Sequence, residues 1–168
     1  MSETAMINNV SIDIQTKRKI TINGDENSFI ELNTNDLGII SRFGSAIPEL
    51  TKLSEEFMLI GEDADSEEGE DTEEAVLEKV ARVANKFDEV NRKATELVNG
   101  IFDYDVCTPI LKGSSVFTLT NGEFAFETII TSLLPLYGDS IQKETKKLET
   151  KMKKYTNKYL PQDHKRKK

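Results

Sequence analysis

The feature that most constrains the fold of this chain is a regular spacing of apolar residues between positions 76 and 101. Successive members are four or three residues apart, and they are Val76, Val80, Val83, Phe87, Val90, Ala94, Leu97 and Ile101. In an α-helix this spacing places all of them on one face, because one turn takes about 3.6 residues. The pattern therefore predicts a long amphipathic helix, about 39 Å in length, that packs along other helices.

Charge is distributed unevenly on either side of this helix. The net charge is −8, yet residues 55–74 hold eleven acidic side chains and no Lys or Arg, whereas residues 143–168 hold eleven basic and three acidic ones. Residues 61–74 lack large apolar side chains, and their charges repel one another. This composition predicts a disordered acidic connector. Residues 161–168, which begin with a proline, are predicted to form a basic tail.

The acidic connector also has a second interpretation, as a calcium-binding loop. Its carboxylates match loop positions 1, 3, 5, 9 and 12 of that motif, at Asp63, Asp65, Glu67, Asp71 and Glu74. Position 6 of the motif needs glycine for a sharp turn, and here it is Glu68. The sequence therefore disfavours this interpretation, and no metal site is predicted.

The N-terminal region has the pattern of short strands. Residues 10–14 and 19–22 alternate polar and apolar side chains, and Asn23-Gly24 is a turn signal before a third apolar run at residues 29–32. This pattern predicts an antiparallel β-hairpin or meander of two or three strands. Because an isolated hairpin is only marginally stable in water, we expect its apolar face to be covered.

Three further helices are predicted around the central one. The first begins near residues 34–36, ends at Gly61, and is expected to break or kink close to residues 46–47 because of Pro48. A helix that starts at residue 122 or 123 buries several Phe, Ile and Leu side chains, and we expect Pro135 and Gly138 to end or bend it. A last, lysine-rich helix begins at residue 139 or 140 and ends near residue 160.

Together these elements predict an α+β fold that is mostly α, with a small N-terminal antiparallel β-hairpin or meander followed by a bundle of long amphipathic helices. The predicted organisation is a β-meander plus helix at 1–60, the acidic connector at 61–74, a helical domain at 75–160 and the basic tail at 161–168.

Nothing in the sequence predicts an enzyme, a cofactor or a membrane protein. The single cysteine, Cys107, is expected to be a buried apolar residue, and the single histidine, His164, lies in the basic tail. Asp103 and Asp105 are interpreted as helix-cap or turn residues. The chain lacks an apolar run of about 18 residues and an export signal, which predicts a cytoplasmic protein. Its acidity disfavours nucleic acid as a partner, while the acidic and basic regions could attract each other within one chain or between copies.

Four segments resemble a known family. They are FDYDVC at residues 102–107, GSSVF at 113–117, NGEFAFETIITSLLPLY at 121–137 and KKLETKMKKYTNKY at 146–159. In these segments the chain resembles the tail assembly chaperones of tailed bacteriophages and prophages of Gram-positive hosts. These are small proteins encoded near the major tail protein and the tape measure protein.

The resemblance implies a non-catalytic chaperone. Its partner would be the tape measure protein, a long helical chain that must stay soluble while the tail tube assembles around it, and the major tail protein or another copy of the chain are further partners. The chaperone would act in the host cytoplasm and be absent from the mature virion. The partner-binding surfaces predicted on this basis are Val83, Phe87, Val90, Ala94 and Leu97, with Leu148, Met152 and Tyr155.

Three other interpretations stay open. The two apolar stripes could pack on each other and on Phe124, Phe126 and Ile130, leaving no surface for a partner. The protein could be a structural component of the virion or tail. It could also be a phage-encoded inhibitor that mimics nucleic acid through the acidic residues 62–74.

Overall fold

The structure is a computed structural model that describes residues 10–12, 14, 17–66 and 72–159, with only the backbone described for residues 63–66 and 154–159. Its elements follow in the order β1 (Arg18–Ile22), β2 (Asp25–Leu32), α1 (Gly38–Ser66), α2 (Glu73–Phe102), α3 (Cys107–Leu111), β3 (Leu119–Thr120), β4 (Glu123–Phe124) and α4 (Ala125–Tyr159). An N-terminal antiparallel hairpin followed by long helices confirms the predicted fold class. The basic tail at 161–168 lies outside the described residues.

Strands β1 and β2 form the predicted hairpin. Asn23 and Gly24 both have positive φ angles, of 53° and 74°, as expected for a tight two-residue turn. Ile20 pairs with Ile30 across the two strands. Ile30 is fully buried, as is Leu32 in the same strand. The apolar face of the hairpin is therefore covered, as its marginal stability in isolation requires.

The additional strand predicted at residues 10–14 is wrong. The described residues of this segment belong to no strand, and Val10, Ile12 and Ile14 are exposed. Alternation favours a strand only where the apolar side of the segment is buried, and these three apolar side chains bury little of their surface.

Helices α1 and α4 continue through the prolines that were predicted to interrupt them. Pro48 lies inside α1, and α4 contains both Pro135 and Gly138. A proline cannot donate to the carbonyl four residues earlier, and here those carbonyls belong to Gly44 and Thr131. Both prolines and both carbonyl-bearing residues are exposed, so water can reach the carbonyls. Packing on the opposite side of each helix then stabilises it where this hydrogen bond is missing.

The boundaries and orientation of α1 also differ from the prediction. The helix ends at Ser66, so it extends into the predicted connector, and α2 already begins at Glu73. Asp63 and Asp65 are therefore helical, whereas residues 67–71 lie outside the described residues. At its start Ile39 is buried, while Leu37 and Ile40 are exposed.

A second small hairpin precedes α4. The pair Asn121-Gly122 turns the chain between β3 and β4, with φ angles of 54° and 82°. The Phe124 backbone N–H donates to Glu127 at 2.8 Å, which places this carboxylate at the first turn of α4. The helix therefore begins three residues later than the first predicted position.

Two asparagines of α2 hold the irregular segment between α2 and β3. The Asn99 side-chain oxygen accepts from the backbone N–H groups of Val106 and Cys107, both at 3.0 Å. The Asn91 oxygen accepts from the Ser115 hydroxyl at 2.6 Å. Asp105 accepts from the Thr108 N–H at 3.1 Å, and Asp103 adopts a left-handed conformation at the end of α2. The cap and turn roles predicted for the two aspartates are thus confirmed.

One hydrophobic core joins the predicted N-terminal and helical domains. Buried side chains from β2, α1, α2, α3 and α4 form a single cluster. At one end of it five phenylalanine rings contact one another, namely Phe57, Phe87, Phe117, Phe124 and Phe126. At the other end Phe102 lies beside Tyr137, with ring centroids 6.1 Å apart. Helix α4 therefore runs alongside α2 in the same direction, from the phenylalanine cluster towards the end of α2.

Candidate partner-binding groove

An open apolar groove lies between the C-terminal part of α1 and the N-terminal part of α2. Its volume is about 790 Å³. The lining is apolar except for Lys79 and Asp88, and the apolar residues that form it are Phe57, Met58, Ile60, Gly61, Val76, Val80, Val83, Ala84 and Phe87. The two helices pack along each other, and their ends project beyond the phenylalanine cluster. We call this end of the molecule the tip.

Aromatic packing forms the inner end of the groove. Phe57 stacks on Phe117 with ring centroids 4.5 Å apart and planes 5° from parallel, and it meets Phe87 at 5.5 Å. Phe124 contacts Phe57 edge-on at 5.8 Å. Aromatic pairs of this kind contribute roughly 0.5–1.5 kcal/mol each beyond the area they bury. The inner end is therefore a rigid surface, fixed from below by β4 and by the segment before β3.

The outer part of the groove is exposed. The side chains of Val76 and Val80 are 50% and 60% exposed, and Met58 is also exposed. These residues belong to the predicted stripe or lie beside it, and no described helix covers them. The groove is thus an amphipathic face left without a partner in the described part of the chain.

The tip is strongly acidic. Among the described side chains between positions 53 and 80, six are acidic and one, Lys79, is basic. On the described surface Glu55, Glu56 and Glu62 of α1 and Glu73 of α2 are all exposed. Thr72 caps α2 by accepting from the Ala75 N–H at 3.3 Å. An apolar surface surrounded by carboxylates favours an apolar ligand that carries positive charge.

The structure divides the predicted partner surface of α2 into two parts. Val83 and Phe87 line the groove. Val90 and Ala94 are 2% and 0% exposed and belong to the core, so they cannot contact a partner in this fold and are removed from the candidate surface. Leu97 is half-buried at a separate cleft. The stripe is continuous along the helix, but α1 and the rest of the core cover only its C-terminal part.

The sequence did not single out Val76 and Val80 as binding residues, nor the α1 side of the groove. Their spacing was visible, since both valines begin the stripe, and Phe57 and Ile60 occupy the corresponding face of α1. The periodicity of the apolar residues identifies the apolar face of α2. It does not show how far along the helix other elements pack on that face. In the structure this packing ends at the phenylalanine cluster.

The second predicted surface lies on the distal part of α4. The Thr34 and Ser140 hydroxyls are 2.8 Å apart and fix α4 beside the start of α1. From residue 142 to 153 every side chain is exposed, with Leu148 at 57% and Met152 at 60%. The side chain of Tyr155 lies outside the described residues. We call residues 141–159 the basic arm, because they contain seven lysines and two glutamates.

A polar cleft lies at the root of the basic arm. It has a volume of about 560 Å³ and is lined by Lys17, Arg18, Thr34, Asn35, Ser140, Lys143, Glu144, Lys146 and Lys147. One of its lysines is paired within the arm, where the Lys147 ammonium donates to Glu144 at 2.6 Å. Lys17 and Arg18, from the N-terminal region, therefore lie beside the lysines of the arm in this cleft.

The perturbed titratable groups serve the fold. Burial raises the pKa of the Cys107 thiol to about 12, so that it remains a protonated apolar side chain, as predicted. Burial also raises the pKa of Tyr137 to about 12. Hydrogen bonds from the Gly38 N–H and from Arg42 lower the pKa of Asp36.

Among the described residues, no three His, Cys, Asp or Glu side chains are grouped as metal ligands, and no helix is both long and apolar enough to cross a bilayer.

Comparisons with protein-family models, with curated proteins and with solved structures find no match to this chain.

Proposed function

We propose that this protein is a non-catalytic tail assembly chaperone that binds the helical tape measure protein and keeps it soluble during tail tube assembly. The observation that supports this proposal is the open apolar groove at the acidic tip. The segments that resemble tail assembly chaperones supply the identity of the partner, and the groove supplies a surface on which such a partner could be held.

The chemistry of the groove suits an amphipathic helix. Two helices that diverge from a common core leave a trough, and an apolar helix face can fill it with side chains at positions i, i+3, i+4 and i+7. Val76, Val80 and Val83 offer exposed or half-buried apolar surface to such a helix, and the phenylalanine cluster closes the inner end. Burying apolar surface contributes roughly 25 cal/mol per Å², so a few contacts of this kind provide reversible binding.

The charge of the tip serves the same function. A tape measure segment held by its apolar face would be surrounded by carboxylates, and the complex would keep the negative charge of the chaperone. Like charges on neighbouring complexes repel each other, which opposes aggregation. The chaperone therefore needs no enclosed chamber, since it covers one apolar face and supplies charge around it.

The test is co-expression of the tape measure protein encoded beside this chain with the wild-type chain and with two variants. Val80→Asp places a charge in the groove, and Leu119→Asp makes the same kind of change at an equally exposed site on β3, outside the groove. We expect the wild type and Leu119→Asp to keep the partner in the supernatant. Val80→Asp should lower its soluble fraction severalfold.

Two outcomes would contradict the proposal. The first is a tape measure protein that is no more soluble with the chain than without it. The second is recovery of the chain in stoichiometric amounts from purified phage particles, which would make it a structural component of the tail.

A further inference from the structure

We infer that the basic arm of one copy docks in the groove of a second copy, so that the free protein associates head to tail through the site its partner uses. This inference rests on the proposed function only in taking the groove as a helix-binding site. It assigns a ligand to the groove, namely an amphipathic lysine-rich helix of the same chain, and a role to the distal part of α4.

The arm presents the kind of surface that the groove requires. Leu148 and Met152 are four residues apart, so they lie on one face of α4, and both are more than half exposed. Ile141, about two turns before Leu148 on the same face, is half-buried where the arm leaves the core. The arm is thus an amphipathic helix whose apolar face is continuous with the core and then extends into solvent.

The charges of the two surfaces are complementary. Among the residues whose side chains the structure describes, the basic arm carries five lysines against two glutamates, and positions 53–80 carry six glutamates against one lysine. Lys17 and Arg18 add positive charge at the root of the arm. Opposite potentials of this size orient two molecules before they touch and disfavour contacts between like ends. Arm against arm and tip against tip are both repulsive, which leaves tip against arm.

The arm cannot fill the groove of its own chain. Helix α4 begins at the phenylalanine cluster and reaches the end of α2 at Tyr137, so it points away from the tip. Leu148 lies 22 residues beyond Phe126, and Val80 lies 7 residues on the other side of Phe87. At 1.5 Å per residue the two sites are roughly 40 Å apart along the molecule. The occupant must therefore come from a second copy.

Such a contact joins two different surfaces, so it repeats from molecule to molecule and produces open chains or closed rings. An apolar helix from the partner competes for the same groove. Binding of the partner then releases the arm, and self-association and partner binding are mutually exclusive at each groove.

The experiment measures the mass of the 19.0 kDa chain in solution by light scattering or sedimentation. The wild type should form species larger than a monomer, increasingly so over about a hundredfold rise in concentration. Because charge guides the contact, raising the salt from about 0.05 M to about 0.5 M should weaken it at least tenfold. Val80→Asp, with a defective groove, and Leu148→Asp, with a defective arm, should each remain monomeric, while Leu119→Asp should behave as the wild type.

The decisive step is to mix the two defective variants. Val80→Asp retains an intact arm and Leu148→Asp retains an intact groove, so an equimolar mixture should form a heterodimer with one contact and no larger species. Both changes are at exposed positions, and circular dichroism checks that each variant is folded. A monomeric wild type, a variant that still associates, or a mixture that stays monomeric would each overturn the inference.

The two proposals can fail separately. Leu148→Asp leaves the groove intact, so it should still keep the tape measure protein soluble. If the two variants form a heterodimer but neither the wild type nor any variant increases the solubility of the tape measure protein, the proposed function is wrong and the self-association stands. If the wild type keeps the tape measure protein soluble but is monomeric at low salt, the self-association is wrong and the proposed function stands.

Discussion

At the scale of single residues, Asn99 shows how a polar side chain on a helix can hold a whole segment. Its oxygen accepts from two consecutive backbone N–H groups, and its amide donates to Asp105 at 3.0 Å. The segment after α2 contains only the short helix α3, and these bonds replace the pairing that regular structure would give it. From its position in the stripe pattern, Asn99 could be placed on the polar side of the helix but not assigned to this role.

Replacing Asn99 with alanine should lower the free energy of unfolding by about 2 kcal/mol, because it leaves the Val106 and Cys107 N–H groups without their acceptor. Urea denaturation followed by circular dichroism measures the change. Asn85→Ala is the matched control, since the same side chain is removed from an exposed position of α2. Equal stability of the two variants would show that Asn99 has no structural role.

Asp36 links the start of α1 to the pH of the solution. Its carboxylate accepts from the Gly38 N–H at 2.8 Å and lies 2.8 Å from Arg42, and these contacts lower its pKa. A carboxyl group with a lowered pKa in the folded state stabilises the fold above its unfolded pKa, near 3.8. That contribution is lost as the pH falls through the folded pKa, because the protonated form has lost the ion pair.

Asp36→Asn should therefore reduce the free energy of unfolding by about 0.5–1 kcal/mol at pH 7, and the difference from wild type should disappear as the pH falls well below 4. Asparagine can still accept from Gly38, so this variant isolates the charge. Arg42→Met should lose more stability at pH 7, because Arg42 also donates to the Ile101 carbonyl at 2.9 Å, and the loss due to that hydrogen bond should persist at low pH. A constant difference between wild type and Asp36→Asn across this range would exclude the ion pair as the cause.

At the scale of elements, α4 combines a core helix and an exposed arm. Leu133 lies in the core at 5% exposure, and Leu148 lies on the arm at 57%. Leu133→Ala should lower the free energy of unfolding by about 2–4 kcal/mol, whereas Leu148→Ala should change it by less than about 0.5 kcal/mol. Both are measured by urea denaturation below about 1 μM, where self-association is weak. A large loss at Leu148 would mean that the arm packs on its own chain.

The sequence predicted which elements form better than where they begin and end. The spacing from Val76 to Ile101 predicts α2 nearly to its last residue, and Asn23-Gly24 locates the first turn. The effect of the two prolines was overestimated, because the helix hydrogen bond that a proline removes costs less free energy where water can reach the carbonyl left without a donor. Residues 10–14 show the opposite error, since alternation alone does not show that the apolar side of a segment will be buried.

The candidate site was predicted in part for a similar reason. Val83 and Phe87 were identified from their place in the stripe, and Val90 and Ala94 were included because they share it. The stripe shows that one face of the helix is apolar. Whether a part of that face is buried in the core or left exposed depends on elements from elsewhere in the chain that contact it. Here the exposed part begins beyond Phe57, Phe117 and Phe124, whose sequence positions are far apart.

At the scale of the whole molecule, one core should produce one unfolding transition. The hairpin, α1, α2, α3 and α4 all contribute to the same cluster, in which Cys107 is 2% exposed. Urea unfolding followed by helical circular dichroism and by labelling of the Cys107 thiol should therefore give the same midpoint, within about 0.2 M. Exposure of the thiol at a lower urea concentration than the loss of helix would instead support independent domains at 1–60 and 75–160.

The distance between the groove and the basic arm limits how many grooves are free. A linear assembly of any length has one free groove at one end and one free basic arm at the other. The number of free grooves therefore equals the number of assemblies and does not depend on the total amount of protein. A partner that binds the free groove stops the assembly from growing at that end. By mass action it also favours dissociation of subunits from the other assemblies. The protein would thus be stored in assemblies that shorten as the partner accumulates, and a higher ionic strength would shorten them further.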